Sequence, residues 1–294
     1  MERSRELRHG CVYASTRRHR RNAAASRIPR SVSVGICTAI AGKSAGTRAK
    51  LRKACGGTGL QMPGRSTNVV NQISVCADCA TRGGALRSVL FDVDGVLVHG
   101  YTAQMERRRR WDEHLLADLG IDPSAFRDLF IKQVFEKEVL TGRKAFLSAL
   151  EETLPQLGFH GSPFIVASYW LNRDSHLNMQ LLEVVRHLRR TGRIRLYVAT
   201  NQEHMRAFHL WNRHGFENLF DDMFHAARLG ALKPERAFFE RVANKLGPQD
   251  EPPVFFDDSE AVVEAANAFG WEGVLYHNLA DCTEHPWISR ELSQ

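Results

Sequence analysis

Between residues 88 and 276 the spacing of apolar positions switches repeatedly between two regimes, and each switch marks an element. Ser88-Val89-Leu90-Phe91-Asp92-Val93 is a short β-prone run, as expected of a central strand buried on both faces of a parallel sheet. Arg195 to Thr200, Pro253 to Asp257 and Gly273 to Tyr276 predict three further strands. Between these runs the period lengthens to that of a helix. Leu181, Leu182, Val185 and Leu188 form the inner face of a helix over 177–190, closed by Gly192. Phe238, Phe239, Val242 and Leu246 do the same for a helix with Pro234 in its first turn and Gly247 as its stop. Ser259 is the expected N-cap of a helix over 260–269 that Gly270 ends. Strand and helix alternating in this way predict an α/β fold: a Rossmann-like parallel sheet with helices on both faces.

From 101 to 176 the pattern is helical without intervening strands. Trp111, Leu115, Leu116 and Leu119 share one face, with Gly120 as a stop; Phe126, Leu129, Phe130, Val134 and Phe135 form a second, and Ala145, Leu147 and Leu150 a third. An insertion of roughly 75 residues is long enough for a small helical cap domain. The expected organisation is therefore an α/β core from 88–100 and 177–294 with a cap at 101–176.

Residues 1–87 have no sustained periodicity. They carry 17 Lys/Arg against 3 Asp/Glu, whereas the other 207 residues carry 23 against 30. The chain's positive formal net charge of +7 thus comes from this extension and says nothing about the periodic part. Such a composition cannot bury enough apolar surface to offset the entropy of ordering it, and disorder is the expectation. A non-essential extension, an organelle transit peptide and a nucleic-acid-binding arm all suit its Arg-rich, acid-poor character. The run Val32 to Ala41 is short, broken by Ser33, Gly35 and Thr38, and preceded by a long basic stretch, which argues against a secretory signal. Beyond Tyr13 the extension lacks interleaved aromatic residues, so nucleic-acid recognition by stacking is not expected. Cys76-x-x-Cys79 has no second pair at zinc spacing, and Cys282 stands alone in the folded part, so no disulfide framework is implied. No apolar run approaches the length of about 18 residues that a membrane span needs. A cytoplasmic location is expected, with organelle targeting by the extension as the alternative; oligomeric state is not legible.

Candidate chemistry concentrates at strand ends, where open α/β sheets place their ligand sites. Asp92 and Asp94 follow the first strand two positions apart, and a turn at Gly95 lets both reach one site. A phosphate ester repels a carboxylate nucleophile, so attack needs a cation and a counter-charge. Asp257 and Asp258 would complete an oxygen cage for Mg²⁺, and Lys233 would supply the fixed positive charge. The Thr200 hydroxyl and the amides after it, from Asn201 onward, suit phosphoryl oxygens at a strand-to-helix turn. Arg107 to Arg110 resembles a phosphate clamp, but consecutive helical residues cannot all face one ligand, and a solvated helix start is the better reading. Arg143-Lys144, Trp170, Asn172, Arg173, Asp174 and His176 lie in the cap or its return, where selectivity would reside, though each is more often a surface or hinge residue; His99 is read as a polar flap residue.

Asp-x-Asp-Gly-Val-Leu from Asp92, Ala199-Thr200-Asn201, Leu229-Gly-x-x-Lys233-Pro and Phe255-Phe-Asp-Asp-Ser-x-x-x-Val-x-x-Ala266 stand in this order. Together they resemble the haloacid dehalogenase-like hydrolase superfamily, in its branch with a helical cap between the first two motifs. The resemblance covers roughly 88–276. It implies Asp92 as the nucleophile of an aspartyl-phosphate intermediate and Asp94 as general acid and base, with the Asp94 backbone carbonyl on the metal. The metal set is then Asp92, Asp94, Asp257 and Asp258, and the phosphate set Thr200, Asn201 and Lys233. Dehalogenases of the superfamily lack an acid at the position of Asp94, because halide leaves without a proton, so the expected function is a Mg²⁺-dependent phosphatase acting on a small phosphorylated metabolite. A phosphomutase, a dehalogenase and a catalytically retired binding scaffold remain as alternatives.

Overall fold

The computed structural model describes residues 86–294. The basic cluster at Arg17 to Arg21, the Val32 to Ala41 run, the Cys76/Cys79 pair and the expected disorder of the extension lie outside the described residues. Arg87, which the sequence pattern assigns to the extension, belongs to the fold: its Nε donates to the Pro252 carbonyl at 2.9 Å, its guanidinium pairs with Glu272, and it lies 4.8 Å over the Trp287 ring.

The described residues form strands β1 (Ser88–Phe91), β2 (Val98–His99), β3 (His176–Leu177), β4 (Arg195–Thr200), β5 (Asp222–His225), β6 (Val254–Asp257) and β7 (Glu272–Leu275). Five of them make one parallel sheet in the order β5-β4-β1-β6-β7. β1 is central, and its alternating side chains feed two apolar layers. Val89 and Phe91 join Leu181, Leu182, Val185 and Leu188 of the helix Met179–Thr191 on one face. Leu90 joins Phe238, Phe239 and Val242 of the helix Arg236–Leu246, with Val262 and Ala266 of Glu260–Phe269, on the other. This is the expected Rossmann-like arrangement, with helices on both faces.

Several local expectations are corrected. β5 was not legible because its four residues, Asp-Met-Phe-His, alternate too briefly to make a pattern. β2 and β3 pair antiparallel over two residues each, Val98 with Leu177 and His99 with His176, and are shorter still. Pro234 lies before its helix rather than inside the first turn, joined to Lys233 by a cis peptide bond. Ser259 occupies the N-cap position of Glu260–Phe269 but its side chain makes no capping bond.

The insertion between β2 and β3 has its own apolar cluster, from Leu115 and Ile121 through Phe126, Phe130, Val139 and Phe146 to Trp170. Arg127–Val139 is a π-helix, with bonds such as Leu140 N–H to the Phe135 carbonyl at 2.9 Å. An i→i+5 helix turns more slowly than an α-helix. Its inner face therefore steps through Phe126, Phe130, Phe135 and Val139, leaving the expected Leu129 only half-buried. Leu116, expected inside, is 55% exposed. The helix Phe146–Thr153 buries Phe146, Ala149 and Leu150; of the expected Ala145, Leu147 and Leu150, Leu150 is inside, Leu147 is half-buried and Ala145 is exposed.

Candidate active site

β1 and β6 are neighbours, and the Asp92 amide donates to the Phe256 carbonyl at 2.9 Å. That bond carries Asp92 to the level of Asp257 at the carboxyl edge of the sheet. Gly95 then turns the chain at φ +80°, and a Cβ there would run into the Asp258 carboxylate. Only glycine meets both demands, the left-handed backbone and the close approach. The result is that Asp92, Asp257 and Asp258, all buried, offer oxygens within 4.8 Å of one another.

Among the described residues one cation enters this cluster. Lys233 Nζ lies 2.6 Å from Asp257 Oδ2 and 2.8 Å from Asp92 Oδ1. Its backbone is held by Asn201, whose Oδ1 accepts from the Lys233 amide at 2.9 Å and whose Nδ2 donates to the Lys233 carbonyl at 3.0 Å. The Asn201 side chain is thereby committed to placing Lys233; the phosphate expectation for Asn201 concerned its backbone amide. Thr200 ends β4, fully buried.

Three carboxylates around one ammonium leave the site short of positive charge. Asp92 is pushed up from 3.8 to about 7, by burial first and then by Asp257 and Asp258, with Lys233 opposing. Burial, then Asp257, raises Asp258 against its bonds from Thr102 and Ala103. Lys233 is held above its ordinary value although burial alone would lower it, because Asp257 and Asp92 outweigh that cost. The two directions agree physically: one lysine is strongly favoured as a cation yet cannot neutralise three anions. The hydrogen bonds leave oxygens over. Asp258 Oδ2 accepts from the Thr102 hydroxyl and the Ala103 amide, Asp257 Oδ1 from the Ser259 amide, and Asp257 Oδ2 from Lys233. Asp92 Oδ1 is buried and has no hydrogen-bond partner among the described residues, its 2.8 Å approach to Lys233 being an ion pair. An all-oxygen set with uncompensated charge fits a hard divalent cation.

The fourth expected carboxylate stands apart. Asp94 is not in the cluster; its side chain is gripped by Arg206, Nη1 to Oδ2 and Nη2 to Oδ1 both at 2.8 Å, and by Gln202 Nε2 on Oδ2. Arg206 is 5% exposed and sits in the short helix His204–Phe208, which Glu203 caps by accepting from the Met205 and Arg206 amides. Sequence reasoning passed over Gln202, Arg206 and Thr102. The one signal for Arg206 was its place three residues after the acidic Glu203, ordinarily read as an exposed capping pair. Asp174, named only as a residue of the cap's return, is buried and lies 3.3 Å from Arg206. Burial pushes its carboxyl up to about 6, Arg206 opposing and Asp94 adding.

Other candidates do not converge. Arg107 donates to the Gly95 carbonyl at 3.3 Å, Arg108 to the Thr102 carbonyl, and Arg110 to Asp112; the expected helix start is a single 3₁₀ turn at Met105–Arg107. Arg143 bonds the Lys137 carbonyl, Lys144 pairs with Glu152, and Arg173 pairs with Asp118 at 2.8 Å. Trp170 belongs to the apolar cluster of the insertion, stacked on Trp111 at 4.8 Å, and His99 pairs with His176 between β2 and β3.

Residues 86–270 match the family model of haloacid dehalogenase-like hydrolases. A sesquiterpene phosphatase of Aspergillus oryzae is 28% identical over 130 residues, which cover 44% of this chain and 66% of that relative, just under two thirds of its length. Among solved structures, a HAD-like family hydrolase of Porphyromonas gingivalis superposes with a TM-score of 0.56 at 20% identity, covering 71% of this chain and 98% of that one. A HAD family enzyme of Bacteroides thetaiotaomicron gives 0.51 at 16%, covering 69% and 98%. Both likenesses are in the fold.

Proposed function

The chain belongs to the haloacid dehalogenase-like hydrolase family, and on that premise we propose that it is a magnesium-dependent phosphatase of small phosphorylated metabolites. The observation that carries this reading is a division of labour among four carboxylates. Asp92, Asp257 and Asp258 crowd one buried lysine, while Asp94 is held outside them by Arg206 and Gln202. Dehalogenation has no use for a separately held fourth acid, because its leaving group needs no proton. Phosphate ester hydrolysis does.

Asp92, Asp258 and the Asp94 backbone carbonyl would hold Mg²⁺, with Asp257 acting directly or through water. Bound there, the ion would offset the repulsion between a phosphoryl group and the carboxylates. Lys233 holds Asp92 in place and adds a fixed positive charge, and the Thr200 hydroxyl with the amides after it receives phosphoryl oxygens. Asp92 attacks phosphorus as the ester P–O bond breaks, and Asp94 gives the departing oxygen its proton. Asp94 then takes a proton from water, which attacks the aspartyl-phosphate and releases inorganic phosphate. The described residues contain no helix long and apolar enough to cross a membrane, and the reading assigns none. The fungal relative's name makes prenyl phosphates one class for the substrate panel, beside sugar, nucleotide and cofactor phosphates.

The test is Asp94→Asn. An aryl phosphate, whose leaving group departs without help, should still phosphorylate Asp92, giving a burst of phenolate near one equivalent per site and then a stall; an alkyl phosphate should hardly react. Steady turnover like that of the unmodified protein would remove Asp94 from the acid-base role. Formation of a positional isomer of the phosphorylated substrate in place of inorganic phosphate would favour a mutase.

A further inference from the structure

Arg206 has no part in the steps above, yet it is a buried guanidinium in contact with the acid-base carboxylate. A carboxylate offers about four lone-pair sites. In Asp94, Oδ2 accepts from Gln202 Nε2 and Arg206 Nη1, and Oδ1 accepts from Arg206 Nη2. One site remains, on Oδ1. Arg206 in turn is anchored on the far side: its Nη2 donates to the Asp174 backbone carbonyl at 2.7 Å and lies 3.3 Å from Asp174 Oδ2.

Asp174 ends the cap helix Pro163–Arg173 and immediately precedes the flap strand β3. Its Oδ2 accepts from the Trp170 indole at 2.9 Å, tying it to the cap core. On its other side is Gly100, at the outgoing crossing between core and cap, where a Cβ would stand 2.5 Å from Asp174 Oδ1. Both chain crossings therefore meet at the residue that anchors Arg206, and a continuous set of bonds runs from the cap core through Asp174 and Arg206 to Asp94. The planar fork of arginine suits this task, because two parallel bonds fix a carboxylate's plane as well as its position.

We propose that Arg206 is the positioning residue for proton transfer: anchored by Asp174 at the cap's return, it orients Asp94 so that the one lone-pair site left on Oδ1 exchanges the proton with the leaving group and with water. The inference rests on the phosphatase reading. It makes a demand that a packing role does not make, namely that the damage from losing Arg206 depends on the leaving group.

The experiment uses the full chain with Mg²⁺ and two substrates, p-nitrophenyl phosphate and an alkyl phosphate that the unmodified protein turns over. A positioned acid contributes about 10²-fold or more to rate. In Arg206→Lys, which keeps the charge without the fork, the single-turnover rate of Asp92 phosphorylation should fall by about 10²-fold on the alkyl ester and by under about 10-fold on the aryl ester, with substrate affinity in that step within about threefold on both, while the shared hydrolysis of the aspartyl-phosphate slows alike for the two. Arg206→Met should show the same asymmetry, larger. Asp174→Asn, which preserves shape, should show it more weakly and covers the case in which the Arg206 variants fail to fold. In the Asp94→Asn background, Arg206→Lys should cost nothing further, since residues acting as a unit are not additive. Equal loss of the phosphorylation rate on both esters, a loss carried by substrate affinity, or full additivity with Asp94→Asn overturns the proposal. Failure of the unmodified protein to hydrolyse either ester removes the phosphatase reading and this role together. Leaving-group dependence at Asp94 without it at Arg206 or Asp174 removes the positioning role alone.

Discussion

Asp92→Asn should make the metal-free protein more stable while abolishing its turnover. Asp92 is 8% exposed and faces Asp257 and Asp258 with Lys233 as shared counter-ion. Its carboxyl moves from 3.8 to about 7, so the folded protein binds this proton more tightly than the unfolded chain does. The sign follows from linkage: where the native state binds more protons, stability falls as pH rises. The loss begins near 3.8 and is complete above about 7, where the separation amounts to ~4 kcal/mol at about 1.36 kcal/mol per pH unit. Asparagine resembles the protonated acid and avoids this cost, less whatever is lost by weakening the contact to Lys233. The assay is urea unfolding of both proteins in EDTA at pH 5 and pH 8. The variant's advantage should grow between the two pH values by at least ~1 kcal/mol, and added Mg²⁺ should erase it by stabilising only the unmodified protein. A variant less stable at both pH values, with a gap that does not change, would refute the claim that uncompensated carboxylate charge strains this site.

Chelation with EDTA should abolish hydrolysis of an aryl phosphate, with Mg²⁺ restoring it; full activity in metal-free buffer would sink the mechanism. Gly95→Ala should cost at least ~1 kcal/mol, from its positive φ and from the collision with Asp258, and should reduce turnover more than distant surface changes do, read by thermal melting and steady-state rates. His225 is buried and held down to about 4, by burial first and then by His204, whose ring centroid lies 5.2 Å away. Here the unfolded chain binds the proton more tightly, so stability should be lost as pH falls from about 6.5 toward 4, by up to ~3 kcal/mol, and His225→Phe should flatten that slope in urea midpoints.

The sheet and its two apolar layers were legible in the sequence because their signals are local. β1, β4 and β6 are continuous apolar runs, and the helices Met179–Thr191 and Glu260–Phe269 repeat their inner residues at helical spacing and end at Gly192 and Gly270. The three aspartates and Lys233 were legible for a related reason: each follows a strand or turn that delivers it to the same edge of the sheet. What sequence could not supply were relations between residues far apart in the chain. Asn201 and Lys233, 32 positions apart, exchange two hydrogen bonds, and Thr102 reaches Asp258 across 156. The insertion's inner face differs from the sequence pattern at Leu129 and Ala145 because a π-helix and a helix that starts only at Phe146 change the period. Arg206 was invisible for the most physical of these reasons. An arginine on the first turn of a short helix is ordinarily solvated, and here tertiary packing, which brings Asp174 of the insertion's return against that helix, leaves it 5% exposed. Once buried, the charge must find partners, and the fold presents two carboxylates, Asp94 after β1 and Asp174 after the helix Pro163–Arg173.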